Sequence, residues 1–104
     1  MNTEVNNQNP GYQTILCLHR RRCIAAYIHE RTKSGKPTTC RQVADAHGLN
    51  VNTTNSLLHL CMTEPTQTTY GAVIVVPVGK GTDPNGVTAM RYAAILHHEK
   101  SANQ

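Results

Sequence analysis

The stretch from Thr39 to Leu60 reads TCRQVADAHGLNVNTTNSLLHL and predicts two short helices joined by a tight turn. The first helix begins at Thr38 or Thr39, because Thr is a favourable N-cap and Gln42 follows Thr39 at the spacing of a capping box. Gly48 ends this helix, since glycine readily adopts the left-handed conformation of a C-cap. Two helices joined in this way form a helix-turn-helix unit.

The second helix of the pair is predicted from Asn52 or Thr53 to Met62, before Glu64-Pro65 closes it. Its spacing puts Leu57 and Leu58 on a core-facing stripe together with Thr54 and Cys61. The opposite face is polar and is expected to lie outside the core. It consists of Asn52, Thr53, Asn55, Ser56 and His59.

Upstream, apolar residues recur at helical spacing from about Thr14 to Arg31, and the Gly35 and Pro37 that follow are helix stop signals. Residues 1–13 are polar and Asn-rich, so they are expected to form a flexible N-terminal arm. The predicted domain covers residues 14–100, and residues 101–104 are expected to be a flexible tail. A chain of 104 residues is too short for two independent cores.

Downstream, Tyr70 to Val78 is a β-branched run that predicts a strand, and Gly79 to Gly86 has the composition of a loop. The segment from Val87 to Leu96 has two interpretations. As a strand it returns antiparallel to the first and completes a hairpin, whereas as a helix it would begin at a Thr88 cap. We favour the hairpin at its start and allow a helical end near residues 95–100.

The net charge of +4 is concentrated in the first half of the chain. Between His19 and Arg41 lie seven of the ten Lys and Arg residues but one of the six acids. A basic segment next to a helix-turn-helix is typical of a surface that binds a polyanion. The candidate phosphate contacts are Arg20, Arg21, Arg22, Lys33, Lys36, Arg41 and Lys80.

In the order of these predicted elements, the chain resembles the winged helix-turn-helix family of bacterial and phage regulators. The resemblance runs from Arg20 to about Ala94, through a first helix, a Gly-x-Pro link, the paired helices and a β wing, and it is strongest to the DNA-binding domain of SOS-type repressors. It implies an α+β fold with three helices followed by a β-hairpin wing. It also implies a sequence-specific double-stranded DNA-binding protein, a small transcriptional regulator of phage or bacterial type. Independently of the resemblance, four cysteines that mostly stand at apolar helix positions, with no signal peptide before them, predict a cytoplasmic protein with reduced thiols.

Two features depart from that family. Thr54 stands where the family usually has Ile or Val, which predicts a weaker helix contact or a shifted register. The presumed reading helix also contains no Lys or Arg. Its Asn side chains can still pair bidentately with adenine, and its Ser and Thr hydroxyls accept several partners, so phosphate attraction would have to come from the flanking cations.

The sequence gives little evidence for an enzyme, a metal site or a membrane protein. Six scattered acids, with no Gly-x-Ser-x-Gly motif and no phosphate loop, do not indicate an enzyme. The six His and four Cys show no ligand spacing typical of a metal site, and we expect no cofactor. No run is long enough to cross a membrane.

The competing class is a winged-helix protein-interaction module that does not read DNA. The uncharged reading helix and the apolar run Val73 to Val78 favour it. An exposed strand containing Ile74, Val75 and Val76 would allow edge-to-edge pairing in a homodimer.

Overall fold

A computed structural model describes residues 10–82 and 85–97 of the chain. The elements in chain order are α1 (Pro10–Lys33), β1 (Thr38–Thr39), α2 (Cys40–His47), α3 (Val51–Thr63), β2 (Thr66–Thr68), β3 (Gly71–Thr82) and β4 (Thr88–Leu96). The four strands form one antiparallel sheet in the order β1-β4-β3-β2. The architecture is therefore α+β, with three helices and a four-stranded sheet.

Helix α1 begins at Pro10, four residues earlier than the predicted start near Thr14, and residues 1–9 of the predicted arm lie outside the described residues. The predicted tail at residues 101–104 lies outside them too. Pro10 is well placed at a helix start because proline presets a helical φ and its missing N–H would have no partner there.

The local signals around α2 are confirmed. Thr39 is the N-cap, and its side chain and that of Gln42 form a reciprocal capping box. Gly48 caps the other end at φ 65°, in the left-handed region. Helix α3 begins one or two residues earlier than predicted because Asn50 is its N-cap, with Oδ1 accepting from the Thr53 N–H at 2.7 Å.

Thr54 lies on the buried stripe of α3, where the sequence predicted it. The residue is fully buried, and its hydroxyl donates to the carbonyl of Asn50 at 2.9 Å. This bond satisfies the Thr54 hydroxyl, so Thr54 occupies a core position without an unpaired polar group.

The sheet differs from a simple hairpin wing. The hairpin itself is confirmed, because β3 and β4 pair in register from Val73–Leu96 to Thr82–Thr88. The loop predicted at Gly79 is wrong at its start, because Gly79–Thr82 continue strand β3 beyond an irregularity between Pro77 and Gly79. Residues 88–96 are strand throughout, so the allowed helical end is wrong as far as Leu96.

The two short strands β1 and β2 were not predicted, and each connects a helix to the sheet. Strand β1 pairs with β4 at Tyr92 and Arg91, just before α2 begins. Strand β2 follows α3 directly and pairs with β3 along Gly71–Val73. Beyond β1, the edge of β4 is covered by α1, since the Thr32 hydroxyl accepts from the backbone N–H of Ala94 at 3.0 Å.

The core lies between the helices and one face of the sheet. Helix α1 contributes Ile24, Ala25 and Ile28, all fully buried, and the other helices and the sheet surround them. The remaining buried apolar residues are Val43 and Ala44 of α2, Leu57, Leu58 and Cys61 of α3, and Val73, Val75, Tyr92 and Ala94 of the sheet.

We expect Leu58→Ala to lower the free energy of unfolding by roughly 2–5 kcal/mol, because it leaves a cavity at a fully buried position. Leu60→Ala is the matched control on the same helix, since Leu60 is 37% exposed, and it should cost less than about 1 kcal/mol. Urea denaturation of both variants measures the difference. Equal losses would contradict the observed orientation of α3.

Candidate nucleic-acid interface

The outer face of α3 carries the residues that the sequence predicts to read bases. Asn52, Asn55, Ser56 and His59 are exposed, and Thr53 is half-buried. The helix presents them outward because Thr54, Leu57, Leu58 and Cys61 occupy its inner stripe. The face combines amide, hydroxyl and imidazole groups and carries no fixed charge.

Two apolar side chains flank this polar face. Val51 is 39% exposed at the first turn of α3, and Leu60 is 37% exposed in the last turns. Sequence reasoning did not include them among the site residues. Apolar side chains in a major groove contact the thymine methyl group, so Val51 and Leu60 extend the range of base edges that this face suits.

Arg41 lies beside the first turn of α3. The thiol of the preceding residue, Cys40, is 3.7 Å from the carbonyl oxygen of Val51, and this contact joins the start of α2 to the start of α3. Burial raises the pKa of the Cys40 thiol, with the charge of Arg41 opposing the shift. Cys40 is therefore protonated at neutral pH and acts as a packing residue.

A cleft of about 330 Å³ separates the start of α2 from the end of the β3–β4 hairpin. Its walls are Thr39, Arg41 and Asp45 on the helical side and Asn85, Val87 and Ala89 on the hairpin side. Arg41 is exposed at this cleft, at the start of α2.

The hairpin contributes two cations. Lys80 is exposed and is paired across the strands with Met90, a residue that packs against the core, so Lys80 lies on the helix-facing side of the sheet. Arg91, which sequence reasoning missed, lies on the other side. Its Nε is 3.5 Å from the carbonyl oxygen of Gly79. Its side chain also covers Gly81, where an added Cβ would come within 2.5 Å of it.

Arg21 was predicted to contact a phosphate, but in the structure its side chain has protein partners. Its guanidinium forms an ion pair with Glu64 at 3.2 Å and donates to the hydroxyl of buried Thr66 at 3.1 Å. The Arg21 side chain is only 12% exposed. It therefore ties α1 to the segment that connects α3 with β2, and it has little surface left for a ligand.

The other cations that the sequence predicts as phosphate contacts lie on different parts of the surface. Arg20 lines a cleft with His47, Gly48 and Leu49 at the turn between α2 and α3. Arg22 lies instead in a groove between α1 and the β2 segment 67–69. Lys33 stacks on the ring of Tyr70, with its Nζ 5.0 Å from the ring centroid. Such a contact favours a cation that is held against the protein.

Lys36 lines a small cleft with Pro37, Val78 and Ala93, so it lies along the edge of β4. Arg41 thus lies at the start of α2 facing the hairpin tip, Arg20 lies at the turn that precedes α3, and Lys80 lies on the hairpin. Arg22, Lys33 and Lys36 adjoin β2, Tyr70 and β4 respectively.

Within residues 10–82 and 85–97, no three His, Cys, Asp or Glu residues are grouped as metal ligands would be. All four cysteines are free thiols. Burial raises the pKa of the Cys61 thiol, opposed by hydrogen bonding with Thr66 and by Arg21. No helix in the described part of the chain has the length and apolar character needed to span a bilayer.

The chain matches no protein-family model, and comparisons with the curated proteins and with the solved structures find no significant match. The residues and their geometry are therefore the basis for inferring a function.

Arg21→Ala should lower the free energy of unfolding by about 1–3 kcal/mol, because Thr66 loses a buried partner and the arginine stem no longer packs between α1 and β2. The exposed side of the ion pair, Glu64, adds little to this value. Arg22→Ala is the matched control and should change stability by no more than about 0.5 kcal/mol. Thermal and urea unfolding distinguish the two, and a stable Arg21→Ala variant would show that the ion pair is dispensable.

Proposed function

We propose that the chain is a small winged-helix protein that binds double-stranded DNA sequence-specifically and acts as a transcriptional regulator of phage or bacterial type. In this proposal α2 and α3 form the helix-turn-helix, and α3 enters the major groove. The hairpin β3–β4 is the wing, and β1 and β2 are additions that attach it to the helices.

The observation that carries the proposal is the outer face of α3. A helix of 13 residues presents exposed Asn52, Asn55, Ser56 and His59 on the side opposite to its buried stripe. In helix-turn-helix proteins the second helix lies in the major groove, and the residues of its first turns contact base edges. The Asn amides suit adenine N6 and N7, and the hydroxyl of Ser56 suits several bases.

The charges predict which residues would contact bases and which would contact phosphates. Because α3 has no cation, it contributes hydrogen bonds to bases and little attraction to phosphates. Attraction to the duplex would come from cations outside α3, namely Arg41 at the start of α2, Arg20 near the turn between α2 and α3, and Lys80 on the wing. A small number of phosphate contacts gives a shallow dependence of affinity on salt, which distinguishes this protein from strongly basic DNA-binding proteins.

A second candidate function is a protein-interaction module without DNA reading. The apolar runs at residues 72–78 of β3 and 93–96 of β4 favour it, since Ile95 and Val78 in these runs are exposed. Retention on heparin and on a random duplex across a salt gradient separates the two functions, since a pure interaction module would not be retained at low salt.

Arg41→Ala should weaken binding to all duplex sequences and reduce the slope of log K against log salt by about 0.9 for one lost phosphate contact. Lys33→Ala is the matched control, because it removes the same charge from a side chain that lies on Tyr70. Fluorescence anisotropy with a random-sequence duplex between about 50 and 200 mM salt measures both slopes. Equal slopes in the two variants would show that Arg41 makes no phosphate contact.

Asn55→Ala should relax sequence preference while leaving general affinity nearly unchanged, since Asn55 is expected to contact a base edge. Binding sites are first selected from a pool of random duplexes with the natural protein. The variant should then lose about 1–3 kcal/mol on the selected site and little on a scrambled one. Failure of the natural protein to enrich any sequence would count against the proposal itself.

A further inference from the structure

Cys23 on α1 has an imidazole beside its thiol. His19 lies one helical turn earlier, so the two side chains share a face of α1. The His19 Nε2 is 3.6 Å from the Cys23 Sγ. At this separation the imidazole can accept the thiol proton, which is how a neighbouring base activates a cysteine nucleophile.

The other three cysteines have packing roles that Cys23 lacks. Cys61 is fully buried in the core, and Cys17 and Cys40 pack against it. Burial raises the pKa of the Cys40 and Cys61 thiols, so both stay protonated at neutral pH. Cys23 is half-buried and is not among the described side chains that pack on the core. Core packing therefore does not account for the cysteine at this position.

Two clefts meet at His19 and Cys23. The larger one, of about 460 Å³, lies between α1 and residues 67–69, and both side chains line it. The smaller one, of about 290 Å³, lies between α1 and the turn that joins α2 to α3, and the same two side chains line it as well. A reagent that enters either cleft therefore reaches the Cys23 thiol.

Both clefts are electropositive. Arg22 lines the larger cleft and Arg20 the smaller one, and no Asp or Glu is among the described residues that line them. Reactive cysteines lie in partly exposed, cationic surroundings of this kind, where an anionic reagent is attracted. A metal ion would instead be repelled by the two guanidinium groups, with no carboxylate beside them to hold it.

The larger cleft also has the size and polarity of a small-molecule site. Its volume of about 460 Å³ is within the range of ligand pockets. Opposite α1 its wall carries the exposed amide of Gln67 and the exposed hydroxyl of Thr69. These groups suit the peptide bonds of a short peptide, and Arg22 on the helical wall suits a carboxylate.

We propose that Cys23 is a modification site, at which the protein thiol exchanges with the disulfide of a small peptide-like reagent that carries carboxylates. His19 is the base, and Arg22 binds a carboxylate of the reagent. The larger cleft holds the group that becomes attached to the protein.

The exchange needs no oxidant other than the disulfide itself. His19 Nε2 accepts the thiol proton as the electron pair of the Cys23 Sγ attacks one sulfur of the reagent. The S–S bond of the reagent breaks, its second sulfur leaves as a thiolate, and the imidazolium returns the proton to it. The products are a mixed disulfide on Cys23 and one free thiol, so the protein sulfur is oxidised and the leaving sulfur is reduced.

Reaction of the full chain with oxidised glutathione, an anionic peptide disulfide, tests the proposal. Peptide mapping by mass spectrometry measures the rate at each cysteine. Cys23 should be modified at least about 10-fold faster than Cys17, the matched thiol that is half-buried on the same helix. In urea the two rates should become equal, because the selectivity depends on the fold. Equal rates in the folded protein would overturn the proposal.

His19→Ala distinguishes a base from a side chain that only lies nearby. His19 is exposed, so the variant should keep the circular dichroism spectrum of the natural protein. At neutral pH it should slow modification of Cys23 at least about 10-fold. The loss should disappear above about pH 9, where a free thiol ionises without a base. An unchanged rate at neutral pH, or a loss that persists at high pH, would contradict the role of His19.

Arg22→Gln tests the choice of an anionic reagent. It should slow the reaction with oxidised glutathione about 3-fold, and it should not slow the reaction with cystamine, a cationic disulfide. Lys36→Gln is the matched control, because it removes the same charge from the cleft beside β4, and both rates should stay unchanged. Equal effects of the two variants would show that Arg22 does not bind the reagent. Since DNA is absent from every reaction, these results are independent of the proposed DNA binding.

Discussion

The burial of Ile24 and Ile28 on α1 is the interaction on which the rest of this structure depends. These two side chains are fully buried, and α1 lies against both other helices and against all four strands. With no Phe and no Trp in the chain, aliphatic side chains must supply nearly all of the core volume. Short aliphatic residues fill only a thin space, so a single layer of helices on one face of a sheet is the architecture that they support.

That thin core determines which surfaces remain outside. The inner stripe of α3 is occupied by its contacts with α1 and the sheet, so the Asn, Ser and His residues between these contacts must face solvent. Among the residues that the structure describes, the same single layer covers one face of the sheet. The proposed DNA-reading surface is therefore a consequence of how little the chain can bury by itself.

Sequence predicted well the features that depend on near neighbours. The capping box at Thr39 and the left-handed cap at Gly48 are decided within three or four residues, and both are where the pattern indicated. Strands of two and three residues are too short to have a periodicity, so β1 and β2 carried no signal. The glycines at Gly79 and Gly81 favoured a loop locally, but pairing with residues 88–91 overrode that preference, as tertiary context does for strands.

The charged residues show most clearly where sequence reasoning ends. Arg20, Arg21 and Arg22 are adjacent in sequence, but successive residues of a helix point about 100° apart. One consequently lies at the turn between α2 and α3, one pairs with Glu64, and one lies against β2. The partner of Arg21 is 43 residues away in the chain, and no local pattern indicates such a distance.

A cluster of cations in a sequence is therefore not a cluster in space, because Arg21 is held in an ion pair and the others lie on separate parts of the surface. For the proposed DNA binding, this dispersal limits how many of them could contact the phosphates of one duplex together. Nonspecific affinity comes almost entirely from phosphate contacts, so a protein with few of them binds random DNA weakly, and base contacts account for a larger share of its specific affinity.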